Sequence, residues 1–276
     1  KSIELHKFLP FDEGSQIVRV SSSLKLSGDL PIIDGAAALY PVFSAFVAAN
    51  YPKQSVEFDG QNFTSVSKLK FSNTRGAYKA ISDGEVDLIF VAAPSKQQLA
   101  YAQEKGARLR FVPIGLEAFV FIVNANNKIS SLTVDQVRGI YSGEFDDWSQ
   151  LGGEHMRIDA VQRNAGSGSQ SAFLKFMGET QPKRKITGFF GSAIGFSFRY
   201  YVEGIVQNGG VKMLSLNGAY PNKENIVSRK YPLVAEIYAV YDENNKNENI
   251  RILIDWILSP QGQSIIENSG YVPIKG

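Results

Sequence analysis

Apolar residues recur along this chain with two alternating periods, and the alternation predicts its elements. After a polar, irregular stretch of residues 1–30, with at most a short strand near 16–20, Val42, Phe43, Phe46 and Val47 fall at helical spacing. Pro41 suits the first turn of that helix, where no N–H is missed. Residues 56–58 read as a strand, and the polar run 71–78 opens a second helix, with Asn73 or Thr74 as its N-cap and Asp83-Gly84 as its end. The nearly continuous apolar run 86–92 is the pattern of a strand buried on both faces. Residues 95–106 then read as helix, 110–113 as strand, and 117–124 as the longest strand candidate. This β-α alternation predicts an α/β fold.

The second half repeats the pattern. Residues 232–241 are the counterpart of 117–124, and the two read as crossovers between lobes. Between them lie a helix at 134–141 capped by Thr133, a strand at 158–161, a helix after Ser169 and a strand at 193–198. Beyond the second crossover come an amphipathic helix at 250–258 and another at 260–269, closed by Gly270. Lobe one is therefore expected to hold 1–116, including the arm 1–30, together with 242–276, and lobe two 117–241.

Composition narrows the function. A content of 43% hydrophobic residues in 276 suffices for two packed cores. The 29 basic and 27 acidic residues nearly cancel, and no basic run interleaves with aromatics, so no nucleic-acid partner is expected. Cysteine is absent, which excludes disulfides and thiolate chemistry and is compatible with export. His6 and His155 lack a second ligand at metal spacing, so no metal or cofactor is expected. No apolar stretch approaches the roughly 20 residues that span a bilayer. Lys1 is not an initiator methionine, and the expectation is an extracytoplasmic protein whose upstream signal or anchor was removed.

The candidate chemistry concentrates in 162–173, where a strand-like stretch gives way to a helix through Gln-Arg-Asn-Ala-Gly-Ser-Gly-Ser. The first turn of a helix leaves N–H groups unpartnered, and the helix dipole favours negative charge there. Arg163 adds a planar fork of donors, Ser167 and Ser169 add hydroxyls, and Gly166 and Gly168 are expected to bring the backbone close with positive φ. A bound oxyanion fits; Gly-x-Ser-x-Gly is absent, which argues against a serine nucleophile. The turn before the helix at 42–50 and the helix start at 73 are further possible oxyanion contacts. No nucleophile–base pair, metal cluster or paired carboxylates emerge, so an enzyme is not expected.

Several ordered motifs carry a family resemblance: Asp34-Gly35-Ala36 through Leu39-Tyr40-Pro41, Gly84-Glu85-Val86-Asp87, Pro113-Ile114-Gly115, Ser131-Leu132-Thr133-Val134, Gln162-Arg163 with the loop after it, Ala193-Ile194-Gly195-Phe196 and Asp255-Trp256 through Ser259-Pro260-Gln261-Gly262. With these the chain resembles, along nearly its whole length, the phosphate-binding receptors of ABC transporters. The resemblance implies an α/β, two-lobe type 2 periplasmic-binding-protein fold with two hinge crossovers, which captures phosphate or a related small oxyanion in an interlobe cleft and delivers it to a membrane permease. It implies contacts from Ala37, Ala38, Leu39, Asn73, Thr74, Arg163, Ser167, Gly168 and Ser169.

The chain also departs from the family. Ala36-Ala37-Ala38 stands where many members carry a threonine or serine, and Ala92-Ala93-Pro94 where phosphate receptors carry an aspartate that accepts the proton of hydrogen phosphate. Glu117 is a candidate substitute acceptor or a solvated hinge residue, and Arg75 is a second cleft cation or points to solvent. The segment 181–192 is shorter than its family equivalent. These departures leave open a sensor or scaffold of the same fold with an altered site.

Overall fold

The computed structural model describes residues 3–163, 168–183, 191–207 and 209–274. They divide into two compact units, Lys1–Leu116 with Glu236–Gly276, and Glu117–Ala235.

In the first unit, strand β1 (Ile33–Gly35) runs through a 3-10 turn, Ala37–Leu39, into helix α1 (Tyr40–Asn50). Helix α2 (Asn73–Asp83) leads to β2 (Leu88–Ala92), and α3 (Lys96–Glu104) to β3 (Leu109–Asn124). The apolar run after Asp87 is buried as its pattern requires: Leu88, Ile89, Phe90 and Val91 are all fully buried. β1 pairs parallel to β2, with Gly35 opposite Phe90. The α1 face contributes Phe43, stacked on Phe90 at 5.7 Å between centroids, and Phe46 at 5.4 Å.

The residues of β3 are divided between the units. In the second unit β4 (Ser131–Leu132), α4 (Val134–Ser142), β5 (Asp159–Ala160), α5 (Gly168–Met177), β6 (Ala193–Phe198), α6 (Arg199–Gln207), β7 (Val211–Met213), β8 (Ser215–Leu216) and α7 (Lys223–Val227) follow in order. β6 and β7 both pair antiparallel to β3, β5 pairs parallel to β6, and β4 pairs with β8. Phe173 of α5 stacks on Phe196 of β6 at 4.4 Å, with Tyr141 of α4 at 4.6 Å from Phe173, so this unit has its own aromatic core. β9 (Val234–Asp242), the second divided strand, returns the chain and pairs antiparallel to β2. Helices α8 (Glu248–Ile257) and α9 (Pro260–Asn268) and strand β10 (Val272–Pro273), paired with β3 at Leu116 and Gly115, complete the first unit.

Three sequence expectations are corrected. Residues 56–58 form no strand: Asp59 Oδ1 accepts the N–H groups of Gln61 and Asn62, and this turn folds the chain back so that Phe58 and Phe63 meet in one isolated bridge. Residues 16–20 form none either. The arm instead packs its Ile17, Leu26 and Leu30 inward and is tied to α1, where Ser44 Oγ donates to Phe8 O at 2.5 Å and Tyr40 Oη to Leu5 O at 3.3 Å. Third, the N-cap of α2 is Ser72, because Asn73 already belongs to the helix, entered at a φ of 64°.

The close approach of β1, α1 and β2 requires glycine at position 35. A Cβ there would lie 2.6 Å from both the Phe43 ring and the Phe90 carbonyl oxygen. Gly35→Ala is expected to destabilise the protein by about 1–3 kcal/mol through overpacking. Urea unfolding measures it, and a midpoint equal to wild type contradicts this packing.

Candidate functional site

Two of the first unit's helix starts, those of α1 and α2, lie at β1 and its neighbourhood. The 3-10 turn carries Ala37 and Ala38 half-buried, while Leu39 is in the core and donates its N–H to Ala36 O at 3.0 Å. The upstream peptide is fixed by Ala36 N–H, which donates to Phe90 O at 2.9 Å. At the second start, Asn73 and Arg75 are exposed and Thr74 is half-buried. Asn73 Oδ1 accepts the Thr74 N–H at 2.8 Å.

The residue that joins these starts is Asp34, quoted in the sequence motif without a role. Its side chain is buried, and its Oδ1 accepts the N–H groups of Gly35 (2.7 Å) and Ser72 (2.8 Å) while Oδ2 accepts the Ser72 hydroxyl. Burial raises its pKa, opposed by the Ser72 hydroxyl, the two N–H bonds and the charge of Lys70. The available signal was an acid directly after Ile32-Ile33 in a strand that is otherwise apolar.

In the second unit Arg163 is exposed after β5, and its N–H donates to Gln170 Oε1 at 2.9 Å. Gln170 Nε2 donates to Gln162 Oε1 at 3.1 Å, and Gln162 Nε2 to Lys183 O at 3.1 Å. Both amides are buried, so this chain of neutral groups fixes the arginine's backbone against α5. Gln162 and Gln170 went unassigned in the sequence because an amide's partner is set by tertiary proximity. Ser169 is buried in the first turn of α5. Gly168 does not take a positive φ: it is the first residue of α5, and a Cβ there would meet nothing within 4 Å. Ser167 and Gly166 lie outside the described residues, as does most of the short segment after Lys183.

Glu117 is neither solvated nor at the surface. It is 5% exposed, with Oε1 accepting the Ala118 N–H at 2.8 Å and Oε2 the Tyr200 N–H at 3.3 Å, so it caps the start of α6. Burial pushes its pKa up to about 8, against the two N–H bonds and the charge of Arg199, with Glu203 adding to the rise. Arg199 is itself paired to Glu203 at 2.5 Å. Tyr201, one residue beyond the cap, is half exposed, and its pKa is raised by the packing around its ring and by Tyr200 and Glu117, while Arg163 acts in the opposite direction.

A profile described as the PBP superfamily domain matches residues 32–261. The chain belongs to the PBP superfamily. Among sequence relatives, the phosphate-binding protein PstS of Borreliella burgdorferi is 27% identical, over 95% of this chain and 92% of its own. That of Bacillus subtilis is 26% identical, over 91% and 82%. A crystal structure of a putative phosphate ABC transporter substrate-binding protein with bound phosphate from Clostridium perfringens superposes with a TM-score of 0.65 at 23% identity, covering 88% of this chain and 98% of that one. The mixed α/β architecture is thus the type 2 periplasmic-binding-protein fold.

Within this PBP domain the buried Glu117 makes stability depend on pH. With a folded pKa of about 8 against an ordinary 4.5, the folded state keeps a proton that the unfolded chain has released, so this carboxyl's contribution is largest at acidic pH and declines as pH rises to about 8. The limiting slope is about 1.4 kcal/mol per pH unit. Glu117→Gln is expected to flatten that decline, so that the melting temperature of the variant gains on wild type between about pH 5 and 8. Melting curves across the range decide it; a difference independent of pH refutes the buried cap.

Proposed function

We propose that this protein is an extracytoplasmic receptor that captures phosphate, or a closely related oxyanion, and delivers it to the membrane permease of an ABC transporter, with no catalytic step of its own. The observation that carries the reading is the near full-length likeness to PstS proteins, combined with helix starts in both units that offer donors. The residues expected to hold the anion are the first-turn groups at Ala37, Ala38 and Leu39 and at Asn73 and Thr74, and Arg163 with Ser167, Gly168 and Ser169. Arg75, exposed in the first turn of α2, adds positive charge nearby. Leu39 is the weakest of these, its N–H being already engaged by Ala36.

Selectivity follows from what replaces the missing aspartate. Ala92 ends β2 with its carbonyl taken by the Tyr78 hydroxyl at 2.6 Å, and each Glu117 oxygen already accepts an N–H. The anion then meets donors rather than a dedicated acceptor, so sulfate competes with phosphate. On this reading Glu117→Gln leaves the ratio of the two affinities unchanged.

Calorimetry with phosphate and sulfate tests both statements. Arg163→Ala is expected to weaken phosphate binding by about 1.5–3 kcal/mol, roughly 10- to 150-fold, because the lost bonds are charge-assisted. Unchanged affinity with a native circular dichroism spectrum removes Arg163 from the site. Ala37 and Ala92 favour a second reading, a sensor or scaffold with an altered cleft, and a wild-type protein that binds neither anion selects it.

A further inference from the structure

A serine at a helix N-cap ordinarily turns its hydroxyl back onto the N–H of the second or third helical residue. Ser72 is the N-cap of α2 and makes no such bond. Its hydroxyl donates instead to Asp34 Oδ2, on a neighbouring strand. The acceptor is 2% exposed, and it also holds the Ser72 backbone N–H at 2.8 Å. A buried carboxylate requires donors, and the serine hydroxyl is one of three that Asp34 receives.

Two further residues keep that arrangement in place. A Cβ on Gly76 would stand 2.6 Å from Ser72 Cβ and 2.7 Å from its Oγ, so a glycine four residues into the turn leaves the side chain its path. Asn73 covers the N–H of Thr74 with its own side chain at 2.8 Å. The N–H that a serine cap would cover next is that of Arg75, the third helical residue.

We propose that Asp34 is a positioning residue of the binding site: it draws the Ser72 hydroxyl off helix α2, so that the Arg75 N–H stays open to an incoming oxyanion. The proposal rests on the reading of the α2 start as part of the anion site. A helix that caps itself competes with its ligand for the same N–H, and the competition is as strong as the cap bond. Binding a buried acid to the cap residue removes that competitor while keeping the backbone of Ser72 fixed.

The test uses the whole chain without ligand and follows the exchange of the Arg75 amide by nuclear magnetic resonance. In Asp34→Asn the amide oxygen still accepts the two backbone N–H groups, but the side-chain NH2 cannot accept the hydroxyl proton, so the charge-assisted bond that draws the hydroxyl off the helix is lost and the cap bond competes for it. Arg75 exchange is expected to slow roughly fivefold, the protection a typical cap bond gives. In Asp34→Asn combined with Ser72→Ala it returns to the wild-type rate. Ser72→Ala alone leaves the rate unchanged, because the hydroxyl is not on that amide in the wild type. Wild-type exchange in Asp34→Asn, or protection that persists in the double variant, overturns the proposal. Should Asp34→Asn fail to fold, Ser72→Ala decides: faster Arg75 exchange means that the hydroxyl was capping the helix and the proposal is wrong.

A phosphate titration supplies the functional arm. Affinity is expected to fall roughly fivefold in Asp34→Asn and to recover in the double variant to the value of Ser72→Ala, a rescue that a merely structural aspartate does not give. The amide pattern without any phosphate binding by the wild type refutes the functional reading and leaves the withheld cap standing.

Discussion

Three donors converge on the carboxylate of Asp34, and two helix starts of the first unit hang from them. The strand that carries this acid passes directly into Gly35 and Ala36, whose backbones lie against Phe90, and from there into the turn Ala37–Leu39. The same carboxylate holds the residue that begins α2. One buried charge therefore sets the positions of two helix starts that are separate in sequence. Burial makes such a charge costly, and the cost is offset only while all its partners are in place, so the geometry is held tightly.

The second unit solves the corresponding problem with neutral groups. Gln162 and Gln170 bond to each other and to the backbone of Arg163, and they fix the arginine without placing a buried charge of either sign beside it. The acid that this unit does bury, Glu117, is spent on the first turn of α6. That use is informative: an acid side chain that accepts a first-turn N–H takes a donor that an external anion would need. Of the helix starts considered, α6 is closed from within, whereas the serine cap of α2 is held away from its helix.

The same logic bears on two alanines that the family resemblance singles out. An alanine at position 37 removes a hydroxyl but leaves the backbone N–H, and backbone groups are what a helix start contributes to any oxyanion. An alanine at position 92 removes an acceptor, which bears on discrimination between anions more than on attraction to them.

Much of the architecture was legible in the sequence because it is written in local periodicity. The strand Leu88–Ala92, buried through Val91, the cap at Thr133 and the helices near the C-terminus follow from residue spacing and cap chemistry alone. Where local preference was ambiguous it misled: residues 56–58 have strand composition, yet the turn at Asp59 closes them on Phe63 before a ladder can grow. The N-cap of α2 was misread by one or two residues because Ser72, Asn73 and Thr74 are all good caps, and only the bonds that Ser72 donates to Asp34 select among them. Sequence identified the residue types that an oxyanion needs, since donors and glycines at a strand-to-helix junction are a local signal. It could not show that Glu117 is a buried cap or that Asp34 organises the first unit, because the partners of a buried carboxylate lie up to 83 residues away and are chosen by packing.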